Sequence, residues 1–153
     1  MIAVAAHGQE TIQWLQILAR YGADFNQKTT RGGRTPIYSA IAATSLDNIR
    51  FLLENGARTD AQTDNGDFVL TYAARNWRYS GVYLLLEAGA DYEVSGPEAF
   101  GNPTLVSYLS SSAENAGFDH SSEEWTRWRP RVIEFLLERN VELPQAVLES
   151  VSR

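Results

Sequence analysis

The side chains best equipped for catalysis are few and lie near one another. The chain has two histidines and no cysteine. His120 stands in the run Asp119-His120-Ser121, which holds the residue types of an acid, a base and a nucleophile. Acyl transfer needs those groups in a line of hydrogen bonds, and members of such triads come from separate elements, not from consecutive positions. Glu123 and Glu124 are adjacent and therefore point in different directions, which is unfavourable for paired acid–base work. Asp64-Asn65-Gly66-Asp67 starts like a calcium loop, but the glutamate that would close one is missing. There is no HExxH, no phosphate-cradling glycine loop and no GxSxG. The residues predict no catalytic activity, metal, cofactor or small-molecule substrate.

A second chemistry, recognition by aromatic and cationic side chains, is better represented. Arg75, Asn76, Trp77, Arg78 and Tyr79 follow one another, and Trp, Tyr and Arg are the residues most enriched at interface hot spots. Trp77 has two readings, contact with a partner or packing over a neighbouring loop; Tyr79 reads as core. The stretch EEWTRWRPR, from Glu123 to Arg131, sets Trp125 and Trp128 three residues apart, a helical spacing that faces both the same way. Arg127, Arg129 and Arg131 interleave with them. This segment could anchor a protein partner, stack on single-stranded nucleic acid, or lengthen a helix and fold its tryptophans inward. Trp14 falls at a buried position of its helix.

The elements that carry these residues recur. LQILARYGADFN from Leu15, IRFLLENGARTD from Ile49 and VYLLLEAGADYE from Val82 superpose, with Gly22, Gly56 and Gly89 spaced 34 and 33 residues apart. A fourth copy, VIEFLLERNVEL from Val132, has Asn140 in place of the glycine. A period near 33 is the mark of a solenoid built from one supersecondary unit. Each glycine sits just past a helix end, where a left-handed backbone is wanted, and Asn is the best substitute. Thr35 is placed to cap a helix through its hydroxyl, with Pro36 in the first turn. Ala40, Ala42, Ala73 and Ala74 allow close helix approach, and Leu52, Leu53, Leu84, Leu85, Leu86, Leu136 and Leu137 give the outer helices an apolar face. No single unit can bury that face alone. Arg31-Gly32-Gly33 and Asp64-Asn65-Gly66 are turn signals.

With GRTPIYSAIAATSLDNIRFLLENGARTD from Gly33 to Asp60, the chain resembles the ankyrin repeat family and its G-x-T-P-L-H-x-A-A pattern. The copy from Gly66 to Asp91 keeps the spacing but has Phe68-Val69 for Thr-Pro. The resemblance implies an all-α, ankyrin-repeat α-solenoid of stacked helix-turn-helix units with projecting hairpin fingers. Residues 1–30 hold a worn, truncated repeat with His7 at its helix–helix turn. Residues 31–63 and 64–97 hold well-formed repeats. Residues 98–142 hold a fourth with about 18 extra residues, two near Gly96-Pro97 and the rest within 110–127. The Ser-rich part, Ser110 to Ser122, reads as loop. Residues 143–153 read as a C-terminal capping helix.

The family's partners dock on finger tips and inner-helix ends. Carried over by position, these are Arg31 and Arg34, then Asn65 and Asp67, then Phe100 and Asn102, with Arg75, Asn76, Trp77 and Arg78 on the inner helix. Trp125 and Trp128 form the second candidate surface. The implied function is a non-catalytic protein-binding module: a stoichiometric inhibitor or adaptor, such as an immunity protein that neutralises a bacterial toxin or effector, or a general scaffold or regulatory subunit.

Composition narrows this further. The formal charge is −6, which disfavours nucleic acid and suits a basic partner or simple solubility. No apolar run is long enough to span a membrane, and the N-terminus lacks a secretory pattern. With no cysteine, a reducing, cytoplasmic setting is expected.

Overall fold

A computed structural model of the chain describes residues 9–115 and 119–151. His7 lies outside the described residues. Eight α-helices follow in order: α1 (Gln9–Arg20), α2 (Pro36–Ala42), α3 (Leu46–Glu54), α4 (Val69–Arg75), α5 (Tyr79–Glu87), α6 (Leu105–Glu114), α7 (Arg129–Leu137) and α8 (Gln145–Glu149). They form two rows. In one, the inner row, α2, α4, α6 and α8 pack in succession; in the other, the outer row, α1, α3, α5 and α7 do. Antiparallel pairs α2–α3 and α4–α5 join the rows. The all-α solenoid expected from the repeat is what the chain builds.

Helix ends explain the period. After α1, α3, α5 and α7 the same two backbone bonds recur: Gly22 N to Ala19 O with Ala23 N to Leu18 O, and their counterparts at Gly56, Gly89 and Asn140. This motif needs a left-handed residue, and Asn140 takes φ +58° where the others are glycine. Helices α2 and α4 end the same way without glycine, at Thr44 (φ +54°) and Trp77 (φ +55°). Apolar burial fills the space between rows, with Ile37, Ile41, Ile49, Leu52, Leu85, Val132 and Leu136 fully enclosed. Sites such as Gly81, where an added Cβ would lie 3.2 Å from Ile41, set how closely the rows approach.

Three expectations about these elements are corrected. Thr35 precedes α2 but makes no side-chain cap, and its Oγ1 is buried without a partner. Thr104 does cap, exchanging bonds with Ser107 at the start of α6. Trp14 is 58% exposed. The buried stripe of α1 runs through Thr11 and Leu15, four residues apart, so Trp14 turns outward with Ile17 and Tyr21. Ser110 to Glu114 is helix, not loop, and Ser112 is fully buried in it.

Among the described residues three hairpin fingers stand beside the inner row. The first closes through Thr29 N to Arg34 O; the second through Thr63 N to Asp67 O with an antiparallel bridge of Gln62 and Phe68. The third closes through Gly96 N to Pro103 O and carries a 3₁₀ turn, Glu98–Phe100. From N-cap to N-cap the inner helices are separated by 33 and then 36 residues (Thr35, Phe68, Thr104), so the third finger is three residues longer, not two.

Candidate functional site: the finger-side groove

Side chains from the fingers and from α4 converge on a groove of about 710 Å³. Its walls include Arg31 and Arg34 of the first finger, Asn65 and Asp67 of the second, Phe100 of the third and Arg75 of α4. The sequence placed all six on the docking face. Tyr38, which it did not single out, anchors the arrangement. Its buried hydroxyl donates to Ala61 O and Asp67 O, both at 2.8 Å, holding the second finger to α2. Burial, then the nearby Asp67 carboxylate, pushes the Tyr38 hydroxyl well above its ordinary pKa. Tyr38 stands at the histidine position of the Thr-Pro-Leu-His pattern, and that substitution was the available signal. The neighbouring fingers touch directly, Asp64 N donating to Gly32 O at 3.2 Å.

Arg34, Arg75 and Asp67 are held by rings and by one ion pair. Asp67 is buried; it pairs with Arg75 and accepts from Thr71 Oγ1 at 3.0 Å. The Arg75 guanidinium lies over the rings of Phe100 (4.9 Å) and Tyr72 (5.9 Å), and that of Arg34 lies over Tyr72 at 5.2 Å. Such stacking orients a guanidinium by its face and leaves its N–H edge for a ligand. Among the described residues neither Arg31 nor Arg34 forms an ion pair. Arg75 Nε and Tyr108 Oη are buried without hydrogen-bond partners, and the Tyr108 hydroxyl lies within the electrostatic reach of both Arg75 and Asp67.

The other six predicted residues fall elsewhere. Asn76 is exposed and donates back to Tyr72 O at the end of α4. Trp77 is half-buried against the core, and Arg78 is half-buried beside it with its Nε enclosed. Asn102 is exposed in the third finger, at φ +52°, and does not line the groove. Trp128 is only 3% exposed and cannot serve as an anchor. Its ring meets Tyr83 and carries the guanidiniums of Arg127 and Arg131 at 4.9 and 5.1 Å. Glu124–Trp128 forms a π-helical turn, with Arg129 N donating to Glu124 O. This wider turn separates Trp125 from Trp128, so the two do not face the same way as a regular helix would make them. Trp125 stays half-exposed, edge-on to His120 and over the Arg129 guanidinium, at a second cavity of about 620 Å³.

The insertion's remaining chemistry is structural. Ser121 donates directly to Asp119 at 2.6 Å while His120 rests against Trp125, so the run does not assemble as a relay. Glu123 pairs with Arg127, whereas Glu124 accepts from Ser80 N and Oγ at the start of α5. Among the described residues no three His, Cys, Asp or Glu side chains gather to hold a metal ion, and no helix is long and apolar enough to cross a membrane.

Residues 1–95 match the family model for ankyrin repeats in three copies. The chain is 33% identical over 90 residues to the mouse B-cell lymphoma 3 protein homolog, a match covering 59% of this chain and 19% of that protein. It is 29% identical over 92 residues to the E3 ubiquitin-protein ligase KEG of Arabidopsis thaliana, covering 60% of this chain and 6% of that protein. The crystal structure of the ankyrin repeat domain of Bcl-3, a member of the IkappaB protein family, superposes with a TM-score of 0.59 at 26% identity, covering 84% of this chain and 46% of that one. The chain thus spans less than half the length of each of these relatives.

Proposed function

From the premise that this chain belongs to the ankyrin repeat family, we propose that it binds a protein partner in the finger-side groove and acts as a stoichiometric inhibitor or adaptor. The family's fold is generally a non-catalytic interaction scaffold, and no enzymatic family is indicated for this chain. The observation that carries the proposal is convergence. Six side chains from three fingers and an inner helix, far apart in sequence, line one cleft, and two of the arginines have no ion-pair partner among the described residues. Arg34 and Arg75, stacked on rings, favour a ligand because part of their ordering cost is met before binding.

The narrower role, neutralising a toxin or effector, draws its support from stoichiometric logic alone: a rigid groove that covers one surface of its partner can block it one to one. The stacking of single-stranded nucleic acid on the insertion loses its footing, since Trp128 is enclosed and a pair of parallel rings is not presented.

The test is differential capture. Wild-type chain, Arg34→Glu and Trp14→Ala are each immobilised and challenged with extract from the native source. The reading expects a protein retained by wild type and Trp14→Ala and lost from Arg34→Glu, in a 1:1 complex by native mass spectrometry. Identical capture by all three would refute the groove as the docking place. If the captured protein is an enzyme, its activity should titrate to zero at equimolar chain for an inhibitor and stay constant for an adaptor.

A further inference from the structure

The groove has the opposite sign to the molecule. The chain carries a formal charge of −6, yet the groove lining holds Arg31, Arg34 and Arg75 against a single carboxylate, Asp67. That carboxylate is already engaged by Arg75 and is buried beneath it. The other acids of the fingers, Asp64 and Glu98, form no ion pair with Arg31 or Arg34. The free groove therefore presents two exposed guanidiniums, and Arg34's is pre-oriented over an aromatic face. At the far wall, Phe100 is 58% exposed next to Pro97 and Ala99, an apolar shelf beside the cationic side.

We propose that this groove takes an acidic, extended segment of the partner protein, with carboxylates on Arg31 and Arg34 and a neighbouring apolar side chain against Phe100. The inference deepens the reading above and rests on it. Charge complementarity decides the class. Guanidinium–carboxylate pairing is frequently bidentate and about twice as strong as neutral hydrogen bonding, whereas a basic segment would set like charges against two arginines that neither Asp64 nor Asp67 pairs with. The whole-chain charge, which alone suggests a basic partner, describes the solvated surface and not the groove.

The experiment uses a randomised linear peptide library displayed on phage, selected against the full chain. Wild type should enrich sequences in which Asp or Glu recurs near one apolar residue. The best peptide, synthesised and titrated by fluorescence anisotropy, should bind at least about tenfold more weakly to Arg34→Glu, the loss of one charged hydrogen-bonded contact. It should bind unchanged to Arg50→Glu, an exposed reversal on α3 away from the groove. The double variant Arg31→Glu/Arg34→Glu should instead enrich Lys and Arg. Both arginines are exposed, so melting curves of the variants should overlay that of wild type and separate folding from recognition. Enriched peptides without acidic bias that lose affinity in Phe100→Ala would overturn the acidic class while leaving the groove as a docking place. Enriched peptides indifferent to every groove substitution, or no enrichment, would overturn the inference; the capture experiment then decides protein binding separately.

Discussion

Two glycine-to-alanine substitutions, Gly33→Ala and Gly56→Ala, separate backbone strain from crowding at the fingers. Both glycines have positive φ, +62° and +84°. A left-handed alanine costs about 1–2 kcal/mol, and the stiffer unfolded chain returns about 0.4–1 kcal/mol, so strain alone destabilises by roughly 1 kcal/mol. At Gly56 nothing lies within 4 Å of the added Cβ, so strain is the whole effect. At Gly33 the added carbon would stand 2.8 Å from the backbone nitrogen of Asp64, with the Asp64 side chain also crowding it. A backbone atom cannot rotate away, and Asp64 N already donates to Gly32 O. The two fingers must separate, at a cost of about 1–3 kcal/mol in the range of overpacked sites. Gly33→Ala is expected to lose about 2–4 kcal/mol and Gly56→Ala about 1 kcal/mol. Urea unfolding followed by circular dichroism measures both, and each kcal/mol should also lower the melting temperature by about 2–4 °C at this chain length. If the two variants agree within about 0.5 kcal/mol, the finger-to-finger contact does not hold the groove together and the account of its rigidity fails.

Three other outcomes follow from single side chains. Trp128→Ala should cost about 3–5 kcal/mol, as for other buried aromatics, while the affinity of the groove peptide per folded molecule stays constant; Trp14→Ala, exposed, should change stability by less than about 0.5 kcal/mol. Asn140→Gly should stabilise by roughly 0.5 kcal/mol in denaturant titration, because φ +58° suits glycine better. Tyr38 and Tyr79 both have pKa values raised by burial, so the folded state resists their ionisation. Their contribution is complete below the unfolded value of 10.0 and falls away as pH rises above it; stability should decline there, and Tyr38→Phe should flatten that decline while lowering stability at neutral pH.

The repeat was readable in the sequence because the chemistry of helix ends admits few solutions. Gly22, Gly56 and Gly89 mark left-handed exits, and Asn140 could be recognised as the fourth because Asn tolerates that conformation. The groove was readable by position, since a finger tip must project whichever side chain it carries; hence Arg31, Asn65 and Phe100 were found. What pattern could not supply was rotation about a helix axis. Trp14 lies one position before the buried Leu15, and α1 turns it into solvent. Trp125 and Trp128 have regular helical spacing, but a π turn, fixed by the Glu124 carbonyl and the carboxylate's hold on Ser80, spreads them. Nor could composition separate Arg34, which stays exposed over Tyr72, from Arg129, which does not stay exposed at all.

Arg129 explains why the start of α7 packs as core. It is 1% exposed, and no carboxylate among the described residues pairs with it. Its guanidinium donates to Ser112 Oγ, to Leu109 O and to Ser150 Oγ, at 3.3, 3.1 and 2.7 Å, with the Trp125 ring 4.2 Å away on its face. Burial pushes its pKa down from the ordinary value, which is the signature of a cation held at a cost. Neutral acceptors recover that cost only if all are in place at once, because a buried cation left short of partners is strongly destabilising. The acceptors come from α6 and from the residue ending α8, and Ser112 also receives the Tyr79 hydroxyl of α5 at 2.6 Å. A slip of any of these elements by one residue would strand the charge. The guanidinium therefore selects one register among α5, α6, α7 and α8.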